Sequence, residues 1–277
     1  MIPKHPEIGV GATAELSLRM SVATLVRVLF KNPQNDELML ALERKVTLHK
    51  TENGHSITVK SQPFGGAIRI LDLDALYNLI GDFHFDSERS REEHDFRLFI
   101  RPSDWSLLRE FCIQHFNRDE NTTLETDPTR ELAEEFADTL KINLQPGQYV
   151  CKPAATLVEN EAASTDNIHA KGVPTVRLYR IFEASITDSS LAQSMLENSK
   201  NFSDQKLQEL ALEDFQKGGM GRANATLTLP LKGLVDYYSD IFPKERNSPV
   251  VFEMHQLDET VSAVLEGVVA PKYQLLG

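Results

Sequence analysis

Cysteine is almost missing from this chain. Cys112 and Cys151 are the only two in 277 residues, and neither belongs to a CxxC pair or stands beside a histidine at ligand spacing. That excludes a disulfide-stapled secreted scaffold and a cysteine-ligated zinc protein. Long apolar runs are missing too. The longest, Val22 to Phe30, is broken by Arg27 and falls far short of the ~20 residues a membrane helix needs. Met1 to Gly11 has no apolar core that could act as a signal peptide, so no membrane association and a cytoplasmic location are expected. Positive charge is scarce: 29 Lys and Arg stand against 41 Asp and Glu, a net charge of −12. A general nucleic-acid binder carries a basic face, so that class is disfavoured. A small anionic substrate is not, because a site can bring its own cation. The eight histidines are scattered, none at metal-binding spacing on a clear helix, and there is no repeat or low-complexity tract.

What is present is an ordinary globular composition, 41% apolar and 25% charged. A chain this long can bury a core of its own without a staple, and residues 1–277 are read as a single domain. Residues 22–30 and 37–42, separated by Asn32-Pro33-Gln34-Asn35-Asp36, predict a β-hairpin, and 56–60 predicts a further strand. That strand runs into a Gly65-Gly66 turn where the backbone can approach another group closely. Residues 73–125 differ in character. They hold two amphipathic stripes, Leu73 to Ile80 and Trp105 to Phe116, around a charge-dense run from Asp86 to Arg97. They read as a mostly helical insertion, the charge run as a solvated face, and Trp105 as part of the insertion's core. Strands are expected over 149–158, 175–186 and 225–231, and helices over 127–142, 189–217 and 257–268. This order indicates a mixed α/β layered domain.

The helix over 127–142 carries the chemistry. Asp127 suits an N-cap and Pro128 the first turn. Glu131, Glu134, Glu135 and Asp138 stand at i, i+3, i+4 and i+7, so four carboxylates share one face, while Leu132, Phe136 and Leu140 form the buried face. Such a face wants a counter-cation, and carboxylate oxygens are hard ligands suited to Mg²⁺ or Mn²⁺.

Arg130-Glu131-Leu132-Ala133-Glu134-Glu135 resembles the second half of the box that defines the Nudix hydrolases. Gly65-Gly66-Ala67-Ile68-Arg69-Ile70-Leu71-Asp72 is similar to its first half, with Gly66 as the box glycine and Asp72 where glutamate is usual. Leu73 to Thr129 intervene, where the family usually has about seven residues, and Ala137 and Asp138 replace the final Gly and aliphatic positions. The resemblance implies an α/β/α sandwich around a mixed β-sheet. It implies divalent-cation-dependent hydrolysis of a nucleoside diphosphate-linked or nucleoside triphosphate substrate at the diphosphate. It further implies metal ligation by Gly66 (through its carbonyl), Glu131, Glu134 and Glu135. Glu131 would act on the attacking water, and Arg130 would hold the glutamates. Arg44, Arg69 and Arg222 are candidate phosphate contacts, Gly218-Gly219-Met220-Gly221 a candidate phosphate-facing loop, and Glu183 a candidate late ligand or base. The insertion is expected outside the sheet, capping the pocket or contacting a second copy or a protein partner. The alternative is an inactive Nudix-like module that binds a nucleotide or a protein.

Overall fold

The computed structural model describes residues 8–51, 54–116, 118, 122–159, 161–165, 167–241, 250–265 and 273–276. In chain order the strands are β1 (Leu18–Lys31), β2 (Leu38–Thr51), β3 (Gly54–Gln62), β4 (Phe64–Ala67), β5 (Arg69–Ile70), β6 (His84–Phe85) and β7 (Arg97–Ile100). They continue with β8 (Leu124–Glu125), β9 (Tyr149–Glu159), β10 (Thr175–Ile186), β11 (Asn224–Pro230), β12 (Val250–Phe252), β13 (His255–Leu257) and β14 (Tyr273–Leu276). The helices are α1 (Leu73–Ile80), α2 (Glu88–Glu93), α3 (Trp105–Phe116), α4 (Thr129–Leu140), α5 (Ser189–Asn201), α6 (Asp204–Gln216), α7 (Leu231–Ile241) and α8 (Val261–Val264).

Strand β1 is the spine. One edge pairs in parallel with β10, from Arg19 opposite Thr175 to Leu29 opposite Ser185. The other edge receives three antiparallel strands in succession: β7 on Leu18–Ser21, β4 on Ala23–Val26 and β2 on Val28–Lys31. The main path of the sheet runs β12-β13-β3-β2-β1-β10-β9-β14, with β11 on the free edge of β2. Side chains alternate across β1 as the strand period requires. Met20, Val22, Val26, Val28 and Phe30 face α1, α3, α4 and α5. Leu25 and Leu29 face the other layer, where α7 and α8 pack with Leu40, Leu42, Leu227 and Tyr179. Helix α6 lays Leu207 and Ala211 on Val46 and Val59. This is the expected α/β/α sandwich on a mixed sheet.

Several expectations need correction. Gly65-Gly66 is not a turn but the middle of β4, paired with Thr24 and Leu25. Residues 73–125 do not stand outside the sheet. They do contain three helices, but Arg97–Ile100 carries three fully buried apolar residues and takes the free edge of β1, and β6 pairs with β7. An unpaired buried strand edge would leave backbone groups unsatisfied, so the segment is drawn into the sheet. Both of its amphipathic stripes pack within the chain, on Leu18, Met20 and Val22, which removes the motive for a second copy to cover them. Trp105 packs against that same core. The helix expected over 189–217 is two helices, because Ser203 caps a new one. The helix expected over 257–268 shrinks to Val261–Val264, since Leu257 pairs with Val250 and Ser61 in the sheet. Positions 266–268 lie outside the described residues.

Candidate functional site

Helix α4 crosses the sheet above β4. Asp127 accepts the Thr129 N–H at 2.7 Å, and Leu132 and Phe136 are fully buried, Phe136 against Phe64 with ring centroids 5.0 Å apart. This fixes which face of α4 looks outward. The two half-motifs, far apart in sequence, meet here. The Gly65 N–H donates to Glu135 Oε2 at 2.5 Å. A Cβ on Gly66 would lie 2.7 Å from the Glu131 carboxyl carbon, and one on Gly65, at φ +130°, would run into the Thr24 carbonyl. Gly65 is therefore required by its close approach to the spine strand, while Gly66 leaves room for the Glu131 carboxylate.

Arg130 gathers the carboxylates on its side. Its guanidinium lies 2.8 Å from Glu125, 2.5 Å from Glu131 and 3.1 Å from Glu134. These partners, led by the hydrogen bond to Glu125, raise its pKa further. Glu131 is pushed above the usual carboxylate range by burial, against the pull of Arg130. Glu134 and Asp138 are the exposed members of the face. Glu135 is half-buried and pushed up to about 8, first by desolvation and then by the Glu43 carboxylate, while Lys45 and the Gly65 N–H pull it down.

Glu43 and Lys45 were not singled out from the sequence. They sit on β2, two residues apart and therefore on one face. Lys45 Nζ is 2.7 Å from Glu43 and 3.4 Å from Glu135. Arg44, the neighbouring residue that was singled out, points the other way. It is 1% exposed, and its guanidinium donates to the carbonyls of Thr226 and Ser199 and to Asp204. The expectation that Arg44 contacts substrate phosphates is thus corrected by strand parity. The signal that could have found its neighbours was the Glu-x-Lys pair itself, read with the strand period of two.

These residues line an open cleft of ≈ 780 Å³. Gly65, Gly66, Arg130, Glu131, Glu134, Glu135 and Asp138 line it, as do Arg69, Arg222 and Asn224. Arg69 uses its Nε on the Glu93 carbonyl. The charge-dense run read as a solvated face supplies a wall: Arg89, Glu93, Asp95 and Arg97 all line the cleft. What holds that run in place is Asp86, which is buried, paired with Arg19 at 2.7 Å and bonded to Ser87 and Ser90 at the start of α2. Asp95 is pushed up to about 6, chiefly by burial, against the pull of Arg97. Glu183 lies away from the cleft, paired with Arg27 and Lys152. Of the glycine loop, Met220 and Gly221 reach the cleft.

A family model described as the SMODS-associated NUDIX domain matches residues 17–228. The chain belongs to this Nudix family. The match runs from β1 into β11 and so includes both half-boxes and the segment between them. No curated protein and no solved structure matches the chain. Nudix domains are generally hydrolases that use divalent cations. Among the described residues of this Nudix domain, no three acidic, histidine or cysteine side chains converge ready-made on one point. The donor chemistry fits a hard divalent cation all the same: carboxylate oxygens, and a glycine where a Cβ would strike the Glu131 carboxylate. No helix among the described residues is long and apolar enough to cross a membrane.

Proposed function

We propose that this Nudix domain hydrolyses a nucleoside diphosphate-linked or nucleoside triphosphate substrate at the diphosphate, with Mg²⁺ or Mn²⁺. The observation that carries the reading is the meeting of Gly65-Gly66 with Glu131 and Glu135 of α4 across an unusually long intervening segment. Residues so far apart in sequence are brought to contact only if the fold needs them together.

Gly66 (through its carbonyl), Glu131, Glu134 and Glu135 would hold the cation. When bound, it neutralises the diphosphate oxygens and makes water a better nucleophile near neutral pH. The protein's own groups do the rest. Glu131, held by Arg130 and raised in pKa by burial, would orient the attacking water and take its proton. Arg130 fixes the angle between Glu131 and Glu134. Arg69 and Arg222, which line the cleft, would meet the phosphates of the substrate. Arg89, Glu93, Asp95 and Arg97, which line the cleft, would give the segment between the half-boxes a role at the substrate. The reading is tested by screening nucleoside triphosphates, dinucleotides and nucleotide sugars for hydrolysis with Mg²⁺ and Mn²⁺, with Glu134→Gln as control. Absence of turnover with every compound and cation sinks it.

One observation favours a second reading, a module that binds a nucleotide without turnover. All three box glutamates are already engaged: Glu131 and Glu134 by Arg130, Glu135 by Lys45 and the Gly65 N–H. Saturable nucleotide binding without product formation in the same screen would support it.

A further inference from the structure

Glu43 and Lys45 lie outside the box, and they join its last glutamate, Glu135, in one charged group. Glu43 is 1% exposed. One of its oxygens accepts from Thr139 Oγ1 of α4 at 3.2 Å and from Asn224 Nδ2 of β11 at 3.1 Å. The other lies 2.7 Å from Lys45 Nζ. That ammonium also lies 3.4 Å from Glu135 Oε1, while Oε2 of the same carboxylate takes the Gly65 N–H. A single positive charge is therefore shared by two carboxylates from two different elements, in the position of a bridging ion. An ammonium is a compact point charge, but it neutralises one carboxylate where a divalent cation would neutralise both. It also reaches the site on a side chain from the same strand as Glu43, so its presence does not depend on the cation concentration.

We propose that Lys45 is a positioning residue acting as a tethered counter-cation, standing between Glu43 and Glu135 where a second divalent ion would otherwise bind. The cleft then takes its divalent cation on the Glu131 and Glu134 side, and shares Glu135 with the ammonium. The carboxylates on β2 and α4 outnumber the ions they recruit, because one ion is supplied by the chain. The placing of a divalent cation on the Glu131 and Glu134 side rests on the metal-loaded cleft proposed above.

The test is a count of Mn²⁺ bound to the full-length chain, read by electron paramagnetic resonance of free Mn²⁺ during titration of metal-free protein. Lys45→Gln is expected to bind one ion more than the wild type. Lys45→Arg, which keeps the charge, and the double variant Glu43→Gln/Lys45→Gln, which removes the pair, are expected to return to the wild-type count. If Lys45→Gln binds the same number of ions with affinities within about threefold of wild type, the proposal is overturned, whatever the hydrolysis screen shows. If the wild type binds none and Lys45→Gln binds one, the metal-loaded hydrolase fails while the counter-cation role stands. If Lys45→Gln is unfolded without metal, Mn²⁺ is expected to fold it. Failure of Mn²⁺ to do so overturns the proposal, as does unfolding of the charge-neutral double variant, which would make Lys45 a packing residue.

Discussion

Glu135→Gln should make the metal-free protein more stable, and by an amount that grows with pH. Burial and the Glu43 carboxylate push Glu135 from 4.5 up to about 8 in the folded state. A carboxyl with a raised folded pKa binds its proton more tightly when folded. The folded state is therefore favoured fully below about 4.5, and that advantage is lost as pH rises through about 8. Each pH unit in that window costs about 1.4 kcal/mol, so moving from pH 5 to pH 7 removes at most about 3 kcal/mol that the amide does not lose. For a chain of this size, 1 kcal/mol corresponds to roughly 2–4 °C. The variant should gain about 5–10 °C on the wild type between pH 5 and pH 7 and level off above pH 8. The amide keeps the acceptor for the Gly65 N–H, and the pull of Lys45 on the ionised carboxylate is already contained in the folded value. Other groups, Asp95 among them, titrate in both proteins and cancel. The assay is thermal unfolding in EDTA at pH 5, 6, 7 and 8. A difference that stays flat with pH, or that falls as pH rises, would refute a strained carboxylate at this position. Added Mn²⁺ should then raise the melting temperature of the wild type and leave that of the variant nearly unchanged.

Three further outcomes are expected. Glu134→Gln, at an exposed position on α4, should lower cation-dependent turnover at least a hundredfold while moving the melting temperature by less than about 2 °C; wild-type turnover would remove Glu134 from the site. Gly65→Ala should cost about 3 kcal/mol or more, because φ is +130° and the new Cβ meets the Thr24 carbonyl of β1; a folded variant within about 1 kcal/mol of wild type would show that β4 can shift. Arg44→Met should cost about 3 kcal/mol by leaving the Thr226 and Ser199 carbonyls and Asp204 short of a partner. It should leave kcat/KM per folded molecule within twofold, and a large fall in kcat with stability intact would return Arg44 to the cleft.

How much of this was written plainly in the sequence depends on the range over which each signal acts. The α4 face was legible because a helix presents i, i+3, i+4 and i+7 together whatever surrounds it. Glu131, Glu134 and Glu135 needed only a buried opposite face, and Leu132 and Phe136 provide one. The β1–β2 hairpin was legible for a similar reason, its turn residues falling between two apolar runs. Gly65-Gly66 was noticed for its glycines and assigned to a turn. The glycines are needed instead because β4 is wedged between Thr24 below and Glu131 above, and that squeeze is tertiary.

The two residues most easily missed, Glu43 and Lys45, show why a strand hides its site better than a helix does. On β2, Arg44 looked like the phosphate contact by charge alone. Parity decides otherwise, because Met39, Ala41, Glu43 and Lys45 share one face with α4, while Leu40, Leu42 and Arg44 share the other. Which face meets α4 follows from the register of β2 on β1, Val28 opposite Ala41, and a shift of one residue would exchange the two sets. No local pattern contains that register. The wall from 86–97 has the same origin. Its charges resemble a solvated face, but Asp86 pairs with Arg19 of β1 and Arg97–Ile100 takes the edge of β1. Those two long-range contacts bring Arg89, Glu93, Asp95 and Arg97 over the carboxylates of α4. The helix supplies the chemistry through its own period, and β1 decides which charges face it.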